Sequence, residues 1–367
     1  MTAARFGASP AYTLGVEEEL MIVDRESLDE VPAVPRLLER VDHDAIPGRL
    51  KTELFASVVE AATPPLERVD EVDGALRTLR RAAVDAATPD GLTVAAAGSH
   101  PFADPERQEV VDEERYTSFV EYGGITVRRQ GVQGLHVHVA MPAEEDCWRC
   151  LELVLPWLPV VLALSANSPW LRGELTGMAS NRAPVLGELP RAGAPPAFAS
   201  YAEWEAWLAR LAQLGVAEDH TRLWWDVRPH PTFGTLEVRM PDQPTDVGLS
   251  AAFAALVQAL CLTALEGGLP ARPSLHGDRG RADYAQNRWA ASRFGPRAEL
   301  LCPDGSGVAA ASVLGAELLE LVRPAARTLS GAPLLERIDP ERCEGDRQAA
   351  FATPHEAAAD LVTRSLG

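Results

Sequence analysis

Tyr12-Thr13-Leu14-Gly15-Val16-Glu17-Glu18-Glu19-Leu20-Met21-Ile22-Val23-Asp24 is the stretch on which the fold turns. It reads as a strand, and in a strand successive side chains point to opposite faces, so Glu17 and Glu19 project the same way. Three further segments share the pattern: Glu53 through Glu60, Gly134-Leu135-His136-Val137-His138-Val139, and Leu236-Glu237-Val238-Arg239. His136 shares a face with His138, and Glu237 with Arg239. Leu135, Val137 and Val139, like Leu236, Val238 and Met240, take the opposite side. One face of the sheet is then apolar and the other is lined with carboxylates, imidazoles and a guanidinium. The same alternation describes the wet side of a half-exposed sheet. Carboxylates at this density repel one another unless cations neutralise them, which favours divalent-metal and phosphate chemistry.

Working outward, Leu50 to Thr63 reads as a second strand ended by Pro64-Pro65, and Val34 to Val41 as a short helix before it. Leu66, Val69, Val72, Leu76, Leu79 and Ala83 recur at three- and four-residue spacings, which predicts an amphipathic helix over the apolar side of the sheet. Strands follow at Leu92 to Ala97, Gly131 to Met141, Leu223 to Arg228 and Thr235 to Met240. Helices are expected over Asp146 to Ser165, Tyr201 to Leu214, Val247 to Glu266, Ala282 to Arg293, Ala309 to Arg327 and His355 to Arg364. Asn167 to Ala197 is a long Gly-, Pro- and Arg-rich loop, a kind of segment that is commonly functional. No repeat or linker interrupts the chain, so the expectation is one α+β domain over residues 1–367, with a helical C-terminal part from about residue 247.

A chain of 367 residues with 46% hydrophobic content has ample material for a core. Its net charge of −19 disfavours nucleic acid or an anionic membrane as partner and points to small molecules or proteins, with self-association through the C-terminal helices left open. Lys51 is the only lysine, so nearly all positive charge is guanidinium, which grips carboxylates and phosphates through a planar fork. There is no Gly-rich loop ending in Lys-Ser or Lys-Thr, so a nucleotide would be held by metal ions and arginines. Cys147, Cys150, Cys261, Cys302 and Cys343 are an odd, scattered set that suits a reducing cytoplasm. Cys147-Trp148-Arg149-Cys150 opens an apolar run and reads as packing rather than redox chemistry. No signal segment or uninterrupted apolar span is present, so export and membrane insertion are not expected.

Mg²⁺ and Mn²⁺ take several oxygen ligands, and Mn²⁺ also takes imidazole, so Glu17, Glu19, Glu60, His136, His138 and Glu237 form a candidate ligand set. Glu53 and Glu60 lie seven residues apart and fall on opposite faces of an unbroken strand. If both are ligands, a bulge or break separates them. Arg239, Arg228, Arg172 and Arg182 are candidates to clamp a phosphate or carboxylate. His230 and His100, each beside proline, read as turn stabilisers.

The segments that carry these residues resemble the carboxylate-amine ligase family, also called glutamate-cysteine ligase type 2. The pieces that match are Thr13 to Glu19, Val59-Glu60 with Ala62-Thr63-Pro64, Gly98 to Phe102, Gly134 to Val139, Ala166-Asn167-Ser168-Pro169 with Arg172-Gly173, Asp226 to His230, and Glu237-Val238-Arg239, in the family's order. The resemblance implies a glutamine synthetase-like fold: a curved antiparallel sheet with helices on its convex face and ATP and Mg²⁺ or Mn²⁺ on its concave face. It implies ATP-dependent joining of a carboxylate to an amine through an acyl phosphate, with glutamate and cysteine as one substrate pair. It places Glu17, Glu19, Glu53, Glu60, His136 and Glu237 at metal positions and Arg239 and Arg182 against phosphate or acyl phosphate. His138, Asn167, Arg172 and Arg228 line the same region. Two other readings use the same residues: a metal-dependent amide hydrolase, which needs no nucleotide, and a non-catalytic relative that acts through a partner.

Overall fold

The computed structural model describes residues 4–269 and 277–366. A seven-stranded sheet is built from β1 (Leu14–Asp24), β2 (Arg49–Thr52), β3 (Val58–Ala62), β4 (Leu92–Ala95), β5 (Leu135–Ala140), β6 (Val227–His230) and β7 (Thr235–Val238). Its order is β6-β7-β5-β1-β3-β2, and every pairing is antiparallel. The long strand β1 carries β3 on one edge; its other edge is shared end to end by β5 and β4. The opening stretch therefore runs through the middle of the sheet.

Helices cover one face. Leu14 and Val16 of β1 join Leu135, Val137 and Val139 of β5 and Leu236 and Val238 of β7 in a core that continues to Ile338. Helix Val72–Ala87 supplies Val72 and Leu76 to this core, while its Leu79 and Ala83 meet Leu20 and Ile22 in a second cluster. Each fully buried aliphatic side chain contributes about 1.5–3 kcal/mol, so this face dominates the stability of the sheet. Helix Val247–Leu265 is apolar all round because it is enclosed between sheet and helices. Asp246 starts it by accepting a 2.8 Å bond from the Gly248 amide. The long apolar stretches Glu144–Ser165 and Val247–Leu265 are buried over 78% and 94% of their most apolar windows, as core helices are.

Three expectations need correction. The segment Leu50 to Thr63 is not one strand: β2 and β3 form a hairpin whose connection begins at Glu53. Asp146 to Ser165 is not one helix, because Pro156 and Pro159 lack the N–H that a helix interior needs. The chain instead passes from helix Glu144–Val154 through a 3₁₀ turn to helix Leu158–Ser165. The loop Asn167 to Ala197 contains a short helix, Arg182–Leu186. Helix Glu114–Gly123 was not foreseen; Tyr116 is the one residue it buries fully, so its sequence carries little apolar period.

Glu18 shows how strictly the faces alternate. It points away from Glu17 and Glu19 into the helical side, where the Arg80 guanidinium grips it through bonds of 2.8 and 2.6 Å, and Gln243 and Ser250 also donate to it. The middle acid of the Glu-Glu-Glu run thus anchors the helix layer.

Candidate active site

Antiparallel register brings the polar residues into three cross-strand rows. Lys51 of β2 stands opposite Glu60 of β3, which stands opposite Glu19 of β1. Glu17 of β1 stands opposite Ala62 of β3 and His136 of β5. His138 of β5 faces Gly15 of β1 and Glu237 of β7, which faces Arg228 of β6. Odd positions on β1, β2 and β7 pair with even positions on β3, β5 and β6, so all of these side chains share one face. The hairpin also resolves the seven-residue spacing: Glu53 continues the Lys51 side of β2 while Glu60 belongs to the partner strand. Tyr116 donates a 3.1 Å hydrogen bond to Glu53.

Glu17 Oε2 lies 3.5 Å from His136 Nδ1 and 3.6 Å from His138 Nε2, and Glu19 Oε1 lies 4.0 Å from His136 Nε2. The Gly134 amide donates to Glu19 Oε2 at 2.5 Å. Lys51 Nζ is 2.5 Å from Glu60 Oε1 and 3.9 Å from Glu17 Oε1. Burial, with added repulsion from Glu17, raises Glu60, and the Lys51 ammonium beside it pulls the other way. Burial and Glu53 push Glu19 up to about 7, and burial raises Glu53 as well. Against burial, hydrogen bonds from His136 and His138 hold Glu17 well below the usual carboxylate range. Burial drives His136 down to about 3, so it is the neutral imidazole that can ligate a metal. Four hard carboxylates with a neutral imidazole on one face are a donor set whose chemistry fits Mg²⁺ or Mn²⁺. Among the described residues no three of these groups stand close enough together to hold a metal ion as they are; cationic side chains stand against them instead.

Glu237 is the clearest case. Arg228 donates to it at 2.6 and 3.2 Å and Arg239 at 2.5 Å, and despite burial these two cations hold it well below the carboxylate range. Arg182, also buried, donates to the backbone carbonyls of Arg239 and Met240 at 3.0 and 3.3 Å. Arg182 Nε and Arg239 Nε are buried donors without a protein partner. Both arginines, with Glu19, Glu53 and His136, border a small cleft that Tyr116, Phe119 and Trp224 also line. A second, larger cleft adjoins the other end of the acidic face, at Glu17, Lys51, Thr63, His138 and Thr235.

Residues 13–349 match the pattern of Glutamate-cysteine ligase family 2 (GCS2). The chain belongs to that family. By class it is an ATP-dependent carbon–nitrogen ligase. It is 40% identical over 349 residues to a Rubrobacter xylanophilus chain provisionally named glutamate--cysteine ligase 2-3, covering 94% of each. It is 37% identical over 308 residues to the glutamate--cysteine ligase of Haloferax volcanii, covering 81% of this chain and 82% of that one. The crystal structure of the Francisella tularensis glutamate--cysteine ligase in complex with AMP matches 98% of this chain and 89% of its own, with a TM-score of 0.72 at 13% identity, a likeness of fold.

Two residues that the family resemblance set beside the site lie elsewhere. Arg172 is on the exterior, paired with Asp104 at 3.1 Å and Glu106 at 2.5 Å. Asn167 is fully buried; it donates to Gln243 O at 2.9 Å and Thr245 Oγ1 at 3.0 Å and accepts from Gln348 at 2.6 Å, so it knots loops together. Asp242, unmarked in the sequence reading, is the centre of that knot: it accepts from the Asn167 amide and from the Ser168 and Ser180 hydroxyls at 2.7–2.8 Å. Ser168 Oγ in turn accepts from the Arg182 amide at 3.0 Å, which sets the start of the helix that carries Arg182. The one forward signal for Asp242 was its place just after Arg239. His100 Nδ1 accepts from the Phe102 and Ala103 amides while Nε2 meets Leu28 O at 2.9 Å, the turn-stabilising role expected. Cys147 and Cys150 are buried, and burial raises both thiols well above their ordinary range.

Proposed function

We propose that this ligase activates a small carboxylate as its acyl phosphate with ATP and passes the acyl group to an amine, over the acidic face of the sheet. The observation that carries the reading is the register: Glu17, Glu19, Glu60 and His136, from three strands, share one surface whose border holds Arg182 and Arg239. Glu17, Glu19, Glu53, Glu60 and His136 would hold two or more divalent cations, with Glu237 joining them only by loosening its arginines. Divalent cations held by these residues would supply charge neutralisation for the phosphates. Arg182 and Arg239 have buried N–H groups to offer, which suits them to the transferring phosphoryl group and then to the oxyanion formed when the amine adds. Arg228 holds Glu237, and through it Arg239, in place. His138 stands between Glu17 and Thr235, to which it is bonded at 3.0 Å, and fixes the direction of Glu17. The aromatic cleft suits a planar base, and the second cleft, with Arg5 and Lys51 on its wall, suits a carboxylate. ATP use and an odd, scattered set of five cysteines suit a cytoplasmic setting. Glutamate and cysteine, the pair in the names of its relatives, are the first substrates to test.

The experiment is ADP release with Mg²⁺ against a panel of amino acids and amines, with phosphate and amide product measured together. Stoichiometric ADP and amide support the reading. ADP release that no carboxylate–amine pair stimulates refutes it, and hydrolysis of glutamyl amides without ATP moves the assignment to an amide hydrolase.

A further inference from the structure

Three of the buried carboxylates are paired with arginine: Glu18 with Arg80, Glu237 with Arg228 and Arg239, Asp226 with Arg288. Glu60 is paired instead with the single lysine of the chain. Lys51 Nζ lies 2.5 Å from Glu60 Oε1 and 3.9 Å from Glu17 Oε1, two of the proposed cation ligands on neighbouring strands. Among the described residues no other lysine or arginine is paired with either. The two kinds of cation differ in a way that fits the difference in place. A guanidinium fork clamps a carboxylate in a fixed plane, whereas an ammonium is a compact point charge on a flexible stem that can leave without breaking a bidentate pair. The position allows departure: β2 is an edge strand, the Lys51 side chain is 42% exposed, and it also lines the second cleft, where Thr63 and Thr13 offer hydroxyls.

We propose that Lys51 is a tethered counter-ion of the cation site, neutralising Glu60 and Glu17 while divalent ions are absent and swinging toward the mouth of the second cleft when they bind. It competes with the ions for the same carboxylates, and so sets how tightly the first one is held. This rests on the reading of the acidic face as a divalent-cation site.

Two measurements on the full chain test it. In a Mn²⁺ titration followed by the free-ion electron paramagnetic resonance signal, Lys51→Met and Lys51→Gln bind Mn²⁺ about tenfold or more tightly than the wild type, since a unit positive charge a few ångströms from the ion is gone. Lys51→Arg binds it no more tightly than the wild type. Equal or weaker binding by both neutral variants overturns the proposal while leaving the cation site standing. Failure of Mn²⁺ to bind any of these proteins overturns the site itself and the proposal with it. The second measurement needs no substitution: reductive ¹³C-methylation keeps the charge and labels one lysine side chain, whose resonance is expected to shift and sharpen as diamagnetic Mg²⁺ saturates the protein. A resonance that Mg²⁺ does not move overturns the proposal.

Discussion

Arg80→Met is expected to be among the most damaging single substitutions away from the reaction cleft. Arg80 is 3% exposed and Glu18 fully buried, and they meet at 2.6 Å. The same guanidinium also donates to the backbone carbonyls of Thr245 at 2.6 Å, Pro244 at 3.1 Å and Ser365 at 3.3 Å, so one side chain ties β1 to the segment before helix Val247–Leu265 and to the C-terminal helix. Methionine keeps most of the volume but strands a carboxylate in the interior, and removing one partner of a buried pair costs about 3–5 kcal/mol. At roughly 2–4 °C per kcal/mol, the unfolding midpoint falls by roughly 6 °C or more. Urea unfolding in EDTA, followed by tryptophan fluorescence, measures the loss. The double variant Arg80→Met with Glu18→Gln removes the stranded charge while leaving an acceptor for Gln243 and Ser250, so it is expected to recover about 1–3 kcal/mol. A single variant within about 1 kcal/mol of the wild type, or a double variant no more stable than Arg80→Met, refutes the claim that this pair is both desolvated and coupled.

Gly134→Ala places a methyl group against the Arg182 guanidinium, and Arg182 is expected to yield before the fold does. Ligase kcat/KM falls by about one to two orders of magnitude with little change in unfolding midpoint, and an unchanged kcat/KM counts against a role for Arg182. Glu60→Gln weakens Mn²⁺ binding at least about tenfold, because affinity follows ligand charge; calorimetry reads it. In metal-free protein Glu19 keeps a proton up to about 7 that the unfolded chain, near 4.5, has released. Its contribution to stability is thus full below about pH 4.5 and lost as pH rises through about 7, and unfolding in EDTA at pH 6 and 8.5 should show the decline, smaller in Glu19→Gln. Glu17 and Glu237, held low, act with the opposite sign below that window. Cys150→Ala leaves ligase activity within about twofold, since the thiol is buried and protonated.

Alternation within a strand is a local property, and that is why the apolar and acidic faces of β1, β5 and β7 could be read from the chain: each strand states its own two faces. Which residues stand opposite one another is a property of pairs of strands, and no single strand contains it. Glu53 and Glu60 make the difference concrete. Read as one strand, seven residues put them on opposite faces; folded as a hairpin in which Lys51 pairs with Glu60, the same seven residues put them on one face, because parity reverses across an antiparallel pair whose position numbers sum to an odd value. The turn that decides between the two has no Asn-Gly or Asp-Gly signature to announce it. Arg172 and Asn167 fail for a related reason: a motif on an irregular segment carries no period, so nothing local says whether its side chains reach the sheet or, as for Asn167, fasten the loop that positions Arg182. Lys51 was visible as a count of one and meaningless as a location until its partner strand was known. The cations of this site follow the same logic as its carboxylates. Their types were legible from the chain, and the distances that turn type into chemistry come from pairing.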